Sequence, residues 1–337
     1  MTRLLVVRLG SLGDLVHTLP AVAALRRAHP SLEIDWLVEA AHQEFLSLVP
    51  VVTSVMALSG RSVRAWRDAR RMLRARAYDV AADFQGLIKS AVLARLSGAR
   101  RVVGFDRAWL REPAARFFYT ERVEGGLAGH VIRKNLQLAA SLGAAGGPLE
   151  FPIAEVRSPA LAVIQERSIT PFALVTPCAA WPNKRWPPDR FGRVAAHLRD
   201  RHGLRSIVLW GPGESDLASA VVQASSGAAE AAPPTTLPDL VSLSRQARII
   251  VSGDTGPLHI AAAVGLPVVS VFGPTDPLRN GPWSDADVSI ARYDRCACHY
   301  RRRCHRQGSW CLAGIRTDEV LAAVDARLGA GLRREVR

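Results

Sequence analysis

Val251-Ser-Gly-Asp-Thr-Gly-Pro-Leu-His259, followed by an apolar run and Val271-Phe-Gly-Pro-Thr-Asp276, decides the fold. Ile249, Ile250 and Val251 lead into the turn, and Val268, Val269, Val271 and Phe272 follow it. Both are continuous apolar runs rich in β-branched residues, as parallel strands covered on both faces require. Gly253-Asp-Thr-Gly256 therefore falls where a strand's carboxyl end meets a helix N-terminus. Open α/β sheets bind their ligands at that edge. Free N–H groups and the helix dipole favour an anion there, and small residues let a phosphate approach the backbone. Asp254 can accept from sugar hydroxyls, while Thr255 and His259 can donate. The plainer alternative makes Asp254 a helix cap and leaves Thr255 and His259 as satisfied core polar groups.

Working outward, the same alternation recurs. Arg3 to Leu9 reads as a first strand, and Gly10-Ser-Leu-Gly-Asp14 as a glycine turn into a helix from about Leu15 to Ala28. Pro20 inside that helix predicts a kink, or a break after the first turn. Gly10 and Gly13 are spaced G-x-x-G, which departs from the dinucleotide fingerprint and argues against a nicotinamide enzyme. Asp14 stands at the helix start, either as a cap or as a carboxylate facing the ligand edge. Ile34–Val38, Ser54–Leu58, Tyr78–Asp83 and Arg101–Phe105 are further strands. Gln85, Gly86 and Lys89 follow the Asp83 strand at its carboxyl end.

Gly143-Ala-Ala-Gly-Gly-Pro148 is a linker signal. It predicts one Rossmann-like domain over 1–150 and a second over 151–337, facing each other across a cleft. The second half restarts with strands at Phe172–Thr176 and Ile207–Gly211. Between them Thr176-Pro-Cys-Ala-Ala-Trp-Pro-Asn-Lys-Arg-Trp-Pro187 is a stiff loop carrying Lys184 and Arg185. A fixed cation beside a helix start suits a pyrophosphate. Glu214, after the glycine turn at Gly211, caps a helix or binds a ribose.

Composition limits the function classes. The 337 residues exceed a usual single domain, and 48% hydrophobic with 22% charged residues describe a globular chain. There is no apolar run of membrane-spanning length and no secretory h-region, so the reading is cytoplasmic. Five cysteines, an odd number, fit reducing conditions. The net charge of +14 predicts an anionic partner: nucleic acid, an acidic membrane surface, or a phosphorylated substrate. Arg61, Arg64 and Arg67 begin an arginine-rich helix reaching Arg76, which is either a solvated face or a docking surface for an acidic acceptor or anionic lipid. A nucleic-acid-binding protein would show salt-steep binding, but aromatic residues are only 6% and no binding module is present, so none is expected.

Arg8-Leu-Gly-Ser-Leu-Gly-Asp-Leu-Val-His-Thr-Leu-Pro20, Asp83-Phe-Gln-Gly-Leu-Ile-Lys-Ser90, Lys184-Arg-Trp-Pro187, Asp254-Thr-Gly-Pro-Leu-His259 and Phe272-Gly-Pro-Thr-Asp-Pro277 resemble the ADP-heptose:lipopolysaccharide heptosyltransferases. Arg111-Glu-Pro-Ala-Ala-Arg-Phe-Phe-Tyr119 looks most like heptosyltransferase I, which adds the first heptose to the Kdo region of lipid A. The resemblance covers nearly the whole chain. It implies the GT-B fold, with acceptor on the first domain and ADP-heptose on the second, and inverting transfer that needs no catalytic metal. It further implies a peripheral enzyme on the inner face of the inner membrane.

By the same resemblance Asp14 matches the general base, and Lys184 the lysine holding the donor phosphates. Asp254, Thr255, Gly256 and His259 match the donor turn, and Glu214 a nucleoside-binding acid in altered surroundings. Gly10, Ser11, Gly13, Gln85 and Lys89 fall in the loops of the acceptor side. Cys296, Cys298, Cys304 and Cys311, spaced C-x-C-x5-C-x6-C with His299 and His305 among them, depart from heptosyltransferase I. They resemble family members such as heptosyltransferase II, some of which bind iron through four cysteines. A structural zinc or iron site and a packed set of reduced thiols both remain open. The acceptor, too, stays open between the inner core, a second heptose, a protein and another glycan.

Overall fold

The computed structural model describes residues 1–60, 62–124, 129–167, 169–304 and 310–335. Arg61 and His305 lie outside them. The chain forms two compact units, Met1–Ala154 and Glu155–Arg337. The division falls just past the glycine-proline linker because the residues after it are tied to the first unit. Ala154 N–H donates to the Leu48 carbonyl at 2.8 Å, and Arg27 pairs with Glu150 at 3.0 Å.

The first unit holds β1 (Arg3–Val7), β2 (Glu33–Glu39), β3 (Ser54–Leu58), β4 (Val80–Asp83), β5 (Arg101–Phe105) and β6 (Glu121–Val123). They form one parallel sheet in the order β3-β2-β1-β4-β5-β6. The second unit holds β7 (Phe172–Thr176), β8 (Arg205–Val208), β9 (Ala229–Ala231), β10 (Ile250–Gly253), β11 (Val268–Phe272) and β12 (Val288–Ala291). Its order is β12-β11-β10-β7-β8-β9, also parallel. The two orders are the same doubly wound plan. Each reverses direction between its first and fourth strands, β1/β4 and β7/β10, and this is where such sheets open a ligand crevice. The central strands are fully buried, which is why their sequence reads as unbroken apolar runs.

The expected helix from Leu15 to Ala28 is two helices, Leu12–Val16 and Leu19–Ala28. Pro20 sits in the first turn of the second, where its missing N–H costs nothing. The break lets Asp14 stay at the strand end while Val22 and Leu25 enter the core. The arginine-rich helix runs Val63–Arg74, capped by Ser62, whose hydroxyl accepts from Ala65 N–H at 3.2 Å. Only Ala69 and Leu73 of it are buried, and Arg64 and Arg67 point to solvent. β6, β9 and β12 were not anticipated: each has three or four residues at or near a sheet edge, too few for a readable apolar run.

Close packing in the second unit depends on Gly192, in helix Pro188–His202. A Cβ there would lie 2.7 Å from the Ala224 carbonyl carbon of helix Ser215–Ala224. That neighbour is backbone and cannot swing away. Gly192→Ala is expected to cost about 2 kcal/mol of stability, read as a lower urea midpoint at unchanged slope.

Candidate active site

Both switch points carry polar side chains. In the first unit, Arg8 leaves the end of β1 and is 6% exposed. Its guanidinium donates to the Phe84 carbonyl, just past β4, and pairs with Asp14 Oδ1 at 2.5 Å. Asp14 Oδ2 accepts from the Ser11 N–H and hydroxyl, both at 3.1 Å. Asp14 is thus a cap for its own short helix and an ion-pair partner together. Its side chain remains 35% exposed, so solvent reaches it despite these partners. Gly10 lies against His42: a Cβ would come within 3.1 Å of the imidazole Nε2. Burial lowers the His42 pKa, against the opposing pull of Glu39. Gly13 is buried inside the first helix.

Gln85 is occupied structurally, since its Oε1 accepts from Leu9 N–H at 2.7 Å and so stitches the β1 loop to the β4 loop. Lys89 Nζ donates to Glu39 Oε1 at 2.7 Å. Beneath them Asp83 is fully buried. Its Oδ2 accepts from Tyr119 Oη at 2.7 Å and Ser90 Oγ at 2.8 Å, and its Oδ1 from the N–H groups of Gln85 and Gly86 at 2.9 and 3.2 Å. Burial pushes the carboxyl pKa up, and these four donors push it back. Gly86 takes φ +73°, a left-handed turn that glycine adopts without strain and that brings its N–H to the carboxylate. Asp83→Ala would strand the Tyr119 hydroxyl and two amides, while Ser90 Oγ would keep the Leu87 carbonyl. It is expected to cost more than about 3 kcal/mol, measured by chemical unfolding.

In the second unit the centre is Asp254, just after β10 and 7% exposed. Its Oδ2 accepts from Lys184 Nζ at 2.5 Å and Thr275 Oγ1 at 2.6 Å, and its Oδ1 lies 3.2 Å from His259 Nε2. The helix that follows, Gly256–Ala263, has Thr255 as its N-cap residue. Asp254 is therefore not the cap that the plainer reading made it. Burial alone would raise its pKa; the His259 hydrogen bond and the Lys184 charge outweigh that and hold it well below the usual carboxylate range. Lys184 also lies over the Trp181 ring, 4.5 Å from its centroid. Thr255 Oγ1 stands 3.5 Å from Ser252 Oγ.

Glu214 precedes helix Ser215–Ala224 and makes no side-chain cap bond. It accepts instead from Arg185 Nη2 at 3.2 Å, on the loop that carries Lys184. Cys178, on the same loop, is buried; burial, then the neighbouring Glu214 charge, push its thiol up to about 12. Burial and this shift leave it little thiolate character.

The structure thus brings Lys184, Asp254 and His259 together and joins Asp14 to Arg8. Arg8, Asp83 and Thr275 were passed over in the sequence, although each stands inside a motif quoted above. The available signal was position: Arg8 and Asp83 end the two strands of one switch point, and Thr275 follows β11 beside the other.

The cysteines cluster pairwise. Cys296 and Cys298 Sγ are 3.5 Å apart, Cys298 exchanges a thiol hydrogen bond with Cys304, and Cys296 does so with Cys311. Cys296, Cys298 and Cys311 are buried and Cys304 half-buried. Burial, then the bonds to Cys304 and Cys296, push the Cys298 thiol up to about 12. Among the described residues no three of these thiols converge closely enough to hold one ion, whereas the group below does. A further group, His197, His202 and Asp325, shares one carboxylate oxygen at 2.8 and 2.6 Å, clamping helix Pro188–His202 to helix Thr317–Glu335.

Comparison with known proteins points one way. Residues 66–309 match the model of glycosyltransferase family 9 (heptosyltransferase). Lipopolysaccharide heptosyltransferase 1 of Pseudomonas aeruginosa is 30% identical over 315 residues, covering 90% of this chain and 88% of that protein. The Escherichia coli protein of the same name is 29% identical, covering 82% and 89%. Among solved structures, E. coli heptosyltransferase WaaC with ADP superposes with a TM-score of 0.77 at 26% identity, over 97% of this chain and all of that one. E. coli heptosyltransferase II matches with a TM-score of 0.76 at 21% identity, a likeness of fold.

Proposed function

This chain belongs to glycosyltransferase family 9, and from that premise we propose that it moves heptose from ADP-heptose onto the Kdo inner core of a lipopolysaccharide precursor. The observation that carries the reading is the Lys184–Asp254–Thr275–His259 cluster at the switch point of the second sheet. It supports a donor site because a cation, a hydroxyl and an imidazole converge at a helix N-terminus. One relative has been solved with ADP and again with ADP-2-deoxy-2-fluoro heptose.

In this mechanism the first unit, Met1–Ala154, binds the acceptor and the second, Glu155–Arg337, the donor. Asp14 takes the proton from the acceptor hydroxyl as it attacks the anomeric carbon, with Arg8 fixing the carboxylate's direction. The sugar–phosphate bond breaks with inversion and ADP leaves. Lys184 and the N–H groups opening helix Gly256–Ala263 receive the developing pyrophosphate charge. Asp254 holds Lys184 at the site before the donor arrives, so little reorganisation remains for the chemical step. Glu214, directed by Arg185, accepts from the ribose. No step passes through a metal. A structural zinc or iron ion at Cys296, Cys298, Cys304 and Cys311 would require these thiols to draw together, since among the described residues no three of them meet around one point.

The exposed arginines of helix Val63–Arg74, Arg64 and Arg67 among them, supply positive charge for the acidic acceptor and for the anionic lipid surface it lies in. No helix among the described residues is long and apolar enough to cross a membrane. The test is ADP release from ADP-heptose with and without Kdo-lipid A. Release that depends on the acceptor is the expected result. Binding of ADP-heptose without release would keep the donor and shift the acceptor to a heptose-extended core, a protein or another glycan. Absence of both would remove the donor assignment.

A further inference from the structure

The cysteine segment makes contacts that its own folding does not require. Asn183, one residue before Lys184, is 4% exposed. Its Nδ2 donates to the Arg301 carbonyl at 2.9 Å and lies 3.6 Å from Cys298 Sγ. Its Oδ1 is buried without a hydrogen-bond partner among the described residues. An amide that leaves its acceptor bare to aim its donor at this segment is held there for position. On the same loop Trp186 Nε1 donates to the Ile315 carbonyl at 3.1 Å.

The other side of the donor cluster is tied to the same segment. Tyr300 N–H donates to the Pro274 carbonyl at 2.9 Å, next to Thr275. Gly273 packs so closely on Cys311 and Leu312 that an added Cβ would meet Leu312 Cγ at 3.0 Å and Cys311 Sγ at 3.3 Å. Lys184 and Thr275, the two groups bonded to Asp254 Oδ2, thus each stand one residue from a contact with the stretch that begins at Cys296.

We infer that the two described stretches Cys296–Cys304 and Cys311–Ile315 form a brace that sets Lys184 and Thr275 around Asp254, with Asn183 as its positioning residue. The brace acts by geometry and touches no substrate. Its thiols make it chemically addressable: a change in what Cys298 binds reaches Lys184 through a single side chain. The consequence for ADP rests on the donor reading above; the consequence for the loop does not.

Hydrogen exchange on the ligand-free protein separates the two. Lys184 and Arg185 N–H groups are bonded to the Trp181 and Pro182 carbonyls, and report the loop directly. In Asn183→Leu these amides should exchange about tenfold faster, with β7 and β10 unchanged. Gly273→Ala, which presses the brace off the other side, should speed exchange at Thr275 and Asp276. Both variants should bind ADP about tenfold more weakly by calorimetry. Unchanged loop exchange in both variants, or acceleration spread evenly through the unit, would overturn the brace. Loosened loops in a protein whose parent does not bind ADP would uphold the brace and sink the donor site. Normal loops with normal ADP binding would do the reverse.

Discussion

Asp14→Ala should lower turnover by about a thousandfold while ADP affinity stays as it was. Two roles of Asp14 compete, and their magnitudes differ enough to decide between them. As a cap its Oδ2 accepts from the Ser11 N–H and hydroxyl, and losing a cap costs about 1 kcal/mol of stability. A cap has no direct effect on kcat. As a base it must sit beside the acceptor hydroxyl, and its side chain is 35% exposed. Asp14→Asn is the sharper probe, because the amide oxygen can still cap and still meet Arg8 but cannot take a proton at neutral pH. If the asparagine variant turns over within a few-fold of the parent, Asp14 is a cap and no more.

The second large effect belongs to Lys184. Lys184→Ala should weaken ADP binding by about a hundredfold and lower stability by about 3 kcal/mol at neutral pH, since it leaves the buried Asp254 carboxylate short of its charged partner. The pH dependence gives a separate check. Asp254 has a folded pKa depressed below the unfolded value of about 4. The stability it contributes is therefore fully present above pH 4 and is lost as pH falls through the folded value. Without the Lys184 charge that folded pKa rises, so the variant should gain less stability between acid and neutral pH than the parent does. Unfolding curves at pH 3 and pH 7 measure the difference. An equal gain in both proteins would mean that Lys184 does not hold the carboxylate.

The alternating plan of this chain was readable because its central strands are buried on both faces and so spell out unbroken apolar runs. β5, β7 and β11 fall where those runs fall. Edge strands have no such constraint: Glu121–Val123 and Ala229–Ala231 are short and partly exposed, and nothing in their composition marks them. At the sites, residue type and position at a strand's carboxyl end picked out Asp14, Lys184 and Asp254. What they are bonded to was not legible, because those partners are separated along the chain. Arg8 reaches Phe84, Lys184 reaches Asp254 seventy residues on, and Asp254 reaches Thr275. Pairing of that kind is created by strand order, and a linear string does not carry it. The same holds for Gln85, whose Oε1 also stitches two loops together.

The repeated strand order has a consequence for how such a chain changes over time. The proposed base and the proposed leaving-group cation stand on two units with separate cores, each at the reversal of its own sheet. A substitution in the loops after β1 and β4 acts first on the folding stability of its own unit. The proposed acceptor half and the proposed donor half can therefore vary under separate folding constraints.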